Sequence, residues 1–261
     1  MQNRTRKLKV KQLTKNNLKG QAMVETLIVV FLTLLILLGI VQFGLIYNAK
    51  TTLNYAAFEA ARSGALNYAD RTAIEYGLAR GLAPLYTSVN VADGVFTKIN
   101  SVQQARDQVY QEIQDGQFVC IERVNPPAAA FATGLAVPDP TGNFTGQKLI
   151  PNDHLLYRSR KTFNNLSVQD ANLLKLRVTY CYRMIVPIIS TAIQRLTGTA
   201  PQTSTPLATG QSQTSPTYGS VVPAGAFQQN CYAQGRFPIV AQAIVRMQTP
   251  VKNDLFPANC D

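Results

Sequence analysis

A single acidic residue, Glu25, lies at the start of a long apolar segment, five residues after the Lys19-Gly20 pair. A carboxylate in hydrocarbon is energetically expensive, so it indicates a function unless it only sits at the interface within reach of water. Cleavage after Gly20 would create an α-ammonium group on Gln21 and make Glu25 the fifth residue of the mature chain. The Glu25 carboxylate of a neighbouring helix and this ammonium group would neutralise each other. The pattern therefore predicts that Glu25 fixes the register between packed helices.

Four cysteines follow the apolar segment, and they are the other candidates for chemistry: Cys120, Cys181, Cys231 and Cys260. None of them forms a CxxC pair, and the one histidine, His154, has no cysteine close to it in sequence, so we expect no metal site. In an exported segment, four well-spaced cysteines predict two disulfides with three possible pairings. Four buried free thiols are the alternative.

Catalytic motifs are missing from the sequence. It contains no GxSxG, HExxH, Walker A or dinucleotide-binding pattern, and a single histidine removes most histidine-dependent mechanisms. We therefore expect a protein that is not an enzyme and that needs no cofactor. His154 is interpreted as a residue of a surface loop.

The positive charge of the chain is concentrated at its N-terminus. The formal net charge is +11, from 25 basic and 14 acidic residues. Residues 1–20 hold seven of the basic residues and no acidic one, which leaves 18 basic against 14 acidic residues in the rest. A basic block beside an apolar segment is first a signal of membrane topology. An arm that binds nucleic acid is the minor alternative.

The apolar segment has the length of a membrane span. No charged residue occurs over the 24 residues from Thr26 to Ala49, and a helix of that length is roughly 36 Å long. The hydrocarbon layer is about 30 Å thick. A cleaved secretory signal is the competing interpretation, but its apolar core is only about 7–15 residues long. We predict a single-pass protein with a cytoplasmic basic leader (1–20), a transmembrane helix (21–48) and a periplasmic domain (49–261).

Residues 19–65 resemble a known family. A basic leader, a glycine and a glutamate five residues later, ahead of an apolar helix, look like a type IV prepilin processing site. The stretch GIVQFGLIYNAKTTLNYAAFEAARSGA resembles the TadE-like minor pilins, or pseudopilins, of Tad/Flp pilus systems. The residues that carry this second resemblance are Gly39, Gln42, Phe43, Gly44, Tyr47, Ala56, Ala57, Glu59, Ala60, Ala61 and Arg62.

The resemblance implies a processing event and a set of partners. A prepilin peptidase would cut between Gly20 and Gln21, and Glu25 would be the register group. Leu27–Leu45 would be the membrane anchor and the packing surface of the filament core. The implied partners are other pilins or pseudopilins, the peptidase, and an inner-membrane assembly platform with its ATPase. No nucleic acid is expected.

The exported part shows helical and strand patterns. Small residues recur at helical spacing over 48–83, which predicts that the membrane helix continues as one rod, weakened by its glycines and ended by Pro84. Its small-residue face would pack on sister helices, on the protein's own sheet, or on both along different stretches. A second helix is predicted over 101–115, followed by a strand over 118–124.

Two longer strands complete the predicted sheet. Leu174, Leu176, Val178, Tyr180 and Tyr182 alternate with polar residues, and the segment from Ile239 to Met247 alternates in the same way. A short helix is expected over 188–196, with long loops over 125–153 and 198–226. The predicted fold is α+β and pilin-like, with a long N-terminal helix packed on a small antiparallel sheet that is covered on one face.

Two functions fit these observations. The first is a minor pilin or pseudopilin that assembles or primes a Tad/Flp-type pilus. The alternative is an uncleaved, single-pass anchor that presents an extracytoplasmic binding or adhesion domain. The fate of the leader distinguishes them, because only the pilin loses residues 1–20 and needs Glu25. The sequence leaves open whether such a pilin enters the filament or stays in the assembly base.

Overall fold

The structure, a computed structural model, describes residues 3–87, 89–92, 95–99, 102–139, 142–144, 146–186, 226–254 and 256. For 3–22, 89–92 and 95–99 the description covers the backbone only. The helix expected over 188–196, and the loop expected from 198 as far as residue 225, lie outside the described residues.

The described part of the chain combines helices with antiparallel strands, which makes the fold α+β. The helices are α1 (Asn3–Leu66), α2 (Arg71–Tyr86), α3 (Val102–Asp115), α4 (Val168–Ala171) and α5 (Ala226–Ala233), with a 3-10 helix at Ala128–Ala132. The strands are β1 (Val89–Ala92), β2 (Val95–Ile99), β3 (Val119–Asn125), β4 (Val137–Pro138), β5 (Lys148–Ile150), β6 (Leu173–Arg183), β7 (Arg236–Arg246) and β8 (Val251–Lys252).

The main sheet has three antiparallel strands in the order β3-β6-β7. Its inner face carries the predicted alternating residues and packs against α1, with Leu174, Leu176, Val178, Ile239 and Ala241 buried. The period-two patterns and the helix over 101–115 are thus confirmed.

The outer face of the sheet is less exposed than the sequence predicts. Thr179 and Cys181 point away from the inner face but are fully buried. The reason is a disulfide between Cys181 and Cys231, which holds α5 against this end of the sheet. The expectation that one face alone would be covered is therefore wrong at the β6 end next to α5.

The prediction that the membrane helix continues over 48–83 as one rod is confirmed as far as Leu66 and is wrong beyond it. Helix α1 ends at Leu66, and the chain then reverses through Tyr68 and Ala69, which both have positive φ (58° and 55°). Helix α2 returns antiparallel to α1 and ends at Tyr86, two residues beyond Pro84. The C-terminal segment holds this turn, because the Thr249 hydroxyl accepts from Tyr68 N–H at 2.8 Å.

Glycines form the contact between α1 and α2. A Cβ atom on Gly81 would lie 2.4 Å from Ala56 Cα, and one on Gly77 would lie 2.9 Å from Ala60 Cα. The backbones of the two helices therefore approach closely, as small residues allow. The small face of α1 is buried on α2 and on the sheet; it comprises Ala49, Leu53, Ala56, Ala57, Ala60, Ala61 and Ala65. Of the alternatives for this face, packing within the chain is what the structure shows.

A second small sheet, in the order β4-β5-β8, occupies part of the segment expected as a loop over 125–153. Strand β8 brings the C-terminal segment beside β3. There the buried Arg123 guanidinium lies between the rings of Phe131 and Phe256, about 5 Å from each centroid, and donates to the Lys252 carbonyl at 3.2 Å. Burial lowers the pKa of Arg123 to about 10. The contacts of Arg123 with Phe256 and with the Lys252 carbonyl hold the C-terminal segment against the main sheet.

Asp70 joins the helical hairpin to the same C-terminal segment. Its carboxylate caps α2 by accepting from Ala73 N–H at 3.1 Å and forms an ion pair with Lys252. Burial alone would raise the pKa of Asp70, but the hydrogen bonds from Lys252 and from Ala73 outweigh it, and the pKa lies below its usual value. The charged form of Asp70 therefore stabilises the fold.

We predict that Gly81→Ala destabilises the protein. The new methyl group would overlap Ala56, and overpacking of this kind costs about 1–3 kcal/mol, more than the gain of about 1 kcal/mol in helix propensity. Thermal unfolding of the full-length protein in detergent would measure the change. Gly44→Ala is the matched control, because a Cβ on Gly44 has no neighbour within 4 Å. An equal loss of thermal stability in both variants would contradict the close contact between α1 and α2.

We also predict a pH-dependent effect for Asp70→Asn, which keeps the capping oxygen but removes the charge. Because the folded pKa of Asp70 is depressed, its contribution to stability is present above the unfolded value of about 3.9 and is lost as the pH falls through the folded pKa. The variant should be less stable by about 1 kcal/mol at pH 7, and the difference should shrink below about pH 4. Asp115→Asn, at an exposed position, should match the wild type. A difference that stays constant from pH 7 to pH 3 would rule out this role.

Candidate membrane anchor and assembly surface

The first part of α1 projects from the folded domain as an uncovered apolar rod. Between Met23 and Val41 the large apolar side chains are mostly exposed. Among the described residues, α1 is the one helix long and apolar enough to cross a membrane, and its most apolar window has no buried residue. An exposed apolar surface of this size needs a membrane or other helices to cover it.

Polar side chains within the rod are satisfied by the helix itself. The Thr26 hydroxyl donates to the Met23 carbonyl at 3.0 Å, and the Thr33 hydroxyl donates to the Val29 and Val30 carbonyls at 3.0 and 2.9 Å. Such internal bonds make hydroxyl groups tolerable in hydrocarbon. Glu25 differs from both, because it is exposed and forms no ion pair with any side chain that the structure describes.

The rod meets the domain at Gln42. This side chain is 0% exposed, and its Oε1 accepts a hydrogen bond from Val186 N–H at 3.0 Å, just after β6. Two turns further on, the Lys50 ammonium group donates to the Val240 carbonyl of β7. The stretch 23–41, in which most of the large apolar side chains are exposed, is roughly 28 Å long as a helix, close to the hydrocarbon thickness of about 30 Å.

The family motif of the sequence divides into an outward and an inward part. Phe43 and Tyr47 are 63% and 72% exposed, and a Cβ on Gly39 or Gly44 would meet nothing within 4 Å. These four positions, near the domain end of the rod, present an open surface of two aromatic rings and two glycines.

The inward part of the motif builds the helical hairpin. Ala60 and Ala61 are fully buried, and the Glu59 carboxylate forms an ion pair with Arg80 of α2. Arg62 is exposed on the opposite side of α1. The Glu-Ala-Ala-Arg sequence therefore contributes to folding at three of its positions.

The described cysteines lie on the face of the main sheet that points away from α1. Cys181 and Cys231 are joined across a sequence separation of 50, and Cys120 is disulfide-bonded as well. Cys260 lies outside the described residues. The predicted use of cysteines in disulfides is confirmed for Cys181 and Cys231.

Sequence reasoning missed two contacts that position the site. It treated Gln42 only as a motif residue, although a lone amide at the end of an apolar run is itself a signal of a buried polar contact. It had no means of finding Lys50 and Val240 as partners, because 190 residues separate them. Within the described residues, no three His, Cys, Asp or Glu side chains come together to hold a metal ion.

Residues 20–62 of the chain match the family described as TadE-like protein. The match begins at Gly20 and ends at Arg62, so it covers the uncovered rod and both parts of the motif. This segment is TadE-like. Its presence indicates a protein associated with a Tad pilus system. Neither the curated proteins nor the solved structures contain a match to the chain.

The TadE-like segment together with the uncovered helix indicates a single-pass membrane protein of a pilus system. Sequence reasoning anticipated this family from the same residues, and the family match confirms it.

We predict that oxidised protein contains a Cys181–Cys231 crosslink and no free thiol. Peptide mapping without reduction should recover the two cysteines in one linked fragment. Alkylation of denatured, unreduced protein should modify none of the four cysteines, and alkylation after reduction should modify all four. Free thiols at Cys181 and Cys231 in unreduced protein would overturn the assignment.

Proposed function

We propose that the protein is a TadE-like minor pilin or pseudopilin that assembles or primes a Tad/Flp-type pilus after removal of its leader. The single observation that carries the proposal is the uncovered apolar rod of α1, with one carboxylate at its start, inside the segment that matches the TadE-like family. The basic leader would keep the N-terminus in the cytoplasm, and the domain would lie in the periplasm.

Processing after Gly20 would account for the position of Glu25. The Gly20–Gln21 bond lies within the helical backbone of α1, and a glycine there lowers the cost of local unwinding by about 1 kcal/mol relative to alanine. Cleavage leaves the Gln21 ammonium group at the membrane surface. The Glu25 carboxylate of a neighbouring subunit then gains a partner of opposite charge, which offsets its desolvation in hydrocarbon.

The distribution of buried surface on α1 supports assembly through the rod. The small-residue face from Ala49 to Ala65 is already occupied by α2 and the sheet. Contacts with other subunits therefore fall on the uncovered stretch that precedes it. Gly39 and Gly44 lie at its end and leave room for a neighbouring helix to approach.

The proposed partners follow from this cycle. A prepilin peptidase would recognise Gly20, an inner-membrane platform would extract the mature subunit, and other pilins or pseudopilins would pack against its rod. The competing function is an uncleaved anchor that presents the periplasmic domain as a binding or adhesion module. Such an anchor would keep all seven cations of the leader.

The decisive experiment is intact mass measurement of the protein from membranes of cells with and without the prepilin peptidase. We expect a chain that begins at Gln21 when the peptidase is present and a full-length chain when it is absent. Gly20→Leu in the peptidase-positive strain should leave the leader in place. A full-length chain in both strains would reject the pilin and favour the anchor.

We predict that Glu25→Leu keeps membrane insertion but abolishes piliation, because removing the charge makes insertion easier and removes the register group. Glu25→Asp is the control, since it retains a carboxylate and should preserve piliation at least in part. Membrane fractionation and counting of pili by electron microscopy give the two readouts. Normal pili in Glu25→Leu cells would show that Glu25 does not set the register between helices. The result on leader cleavage would still stand.

A further inference from the structure

An exposed apolar loop lies at the end of the domain farthest from the rod. Strands β6 and β7 run alongside α1, with Val186 at Gln42 and with Gln248 N–H bonded to the Ala65 carbonyl at 3.0 Å. The start of β6 and the end of β7 are therefore roughly 35 Å along α1 from Gln42. The loop over 154–160 packs beside this end of the sheet.

The loop is held in place although its apolar side chains face solvent. Leu156 is 79% exposed and Tyr157 is 86% exposed. The Gln169 Nε2 group donates to the Leu155 and Arg158 carbonyls at 2.9 and 3.2 Å, and Arg158 is paired with Asp153 at 2.8 Å. An anchored loop that presents a leucine and a tyrosine to water is typical of a recognition surface.

A groove of about 340 Å³ separates this loop from the sheet. Three leucines line it, together with Gln169 and the two arginines Arg160 and Arg246. Neither Arg160 nor Arg246 forms an ion pair with any described residue, and both are exposed. We call this surface the distal patch; it comprises Leu155, Leu156, Tyr157, Arg160, Leu173 and Arg246.

We propose that the distal patch binds an acidic segment of a partner protein that also carries apolar side chains. The two unpaired guanidinium groups would take carboxylates, for which the planar fork of arginine is well suited. The leucines would take apolar side chains of the same segment. The proposal stands apart from the processing of the leader and from the role of Glu25.

Other occupants fit the patch less well. The headgroups of the membrane that holds the rod lie roughly 35 Å away along α1. An anionic polysaccharide would satisfy the arginines but would leave Leu156 and Leu173 facing hydroxyl groups. A second copy would bring the same pair of arginines to the interface if it docked through the same patch, and like charges there are unfavourable.

The test uses the full-length protein in nonionic detergent and a fluorescein-labelled peptide of eight alternating glutamate and leucine residues. Fluorescence anisotropy should show saturable binding that weakens as salt rises from about 50 to 300 mM. Peptides of alternating glutamine and leucine, or of glutamate and serine, should bind at least about tenfold more weakly, because each lacks one of the two interactions.

Variants locate the binding on the molecule. Arg160→Glu combined with Arg246→Glu should weaken binding of the glutamate-leucine peptide by about tenfold or more. Arg183→Glu is the matched control, since Arg183 is exposed at the opposite end of β6, and its affinity should equal that of the wild type. Leu156→Ser with Tyr157→Ser is a second variant whose side chains make little contact with the fold. Melting temperatures of all variants should match the wild type.

Three results would overturn the proposal. The first is that the glutamate-leucine peptide shows no saturable binding. The second is that Arg183→Glu weakens peptide binding as much as Arg160→Glu combined with Arg246→Glu. The third is binding of a sulfated polysaccharide such as heparin without binding of the peptide, which would make the patch a carbohydrate site. If the first result came with concentration-dependent dimerisation that both distal variants abolish, the patch would instead be assigned to a second copy.

Discussion

The contact between the backbones of α1 and α2 at Gly77 and Gly81 is the constraint on which the rest of the structure depends. It lets α2 cover the small face of α1 and pairs Glu59 with Arg80. Because α2 and the main sheet occupy that face, α1 is a core helix of the domain from Gln42 onward. The same helix is left without cover from Met23 to Val41. One helix thus serves as the core of a domain over one stretch and as an apolar rod over the other.

The two stretches use different packing chemistry. Within the domain, alanine and glycine bring helices together at short range, and the sheet closes the other side with larger apolar residues such as Leu174 and Leu176. Along the rod, large aliphatic side chains point outward, and only Gly39 and Gly44 are small and open. This division explains why the TadE-like segment carries two kinds of motif residue, one turned toward the chain itself and one turned away from it.

The sheet and the rod could be predicted from the sequence, because their patterns are local. Alternation in Leu174–Tyr180 and in Ile239–Met247 is typical of β-strands, although the outer face of β6 is also buried at Thr179. The hairpin could not be predicted, because the turn at Tyr68 and Ala69 contains no glycine and is held by Thr249 and the nearby C-terminal segment, more than 180 residues away. The glycines of α2 looked like weak points of one long helix, although they are the sites of closest helix contact. Likewise, the pairing of Cys181 with Cys231 depends on where α5 docks.

The hydrogen bonds of Gln42 with Val186 and of Lys50 with Val240 have a mechanical consequence. Strands β6 and β7 lie alongside α1 and are tied to it at Val186 and Val240. A pull along the axis of α1 would therefore load the domain in shear, with the helix–sheet contacts sharing the force in parallel instead of opening one after another. A subunit built in this way transmits tension from its membrane helix to its sheet with little change in shape.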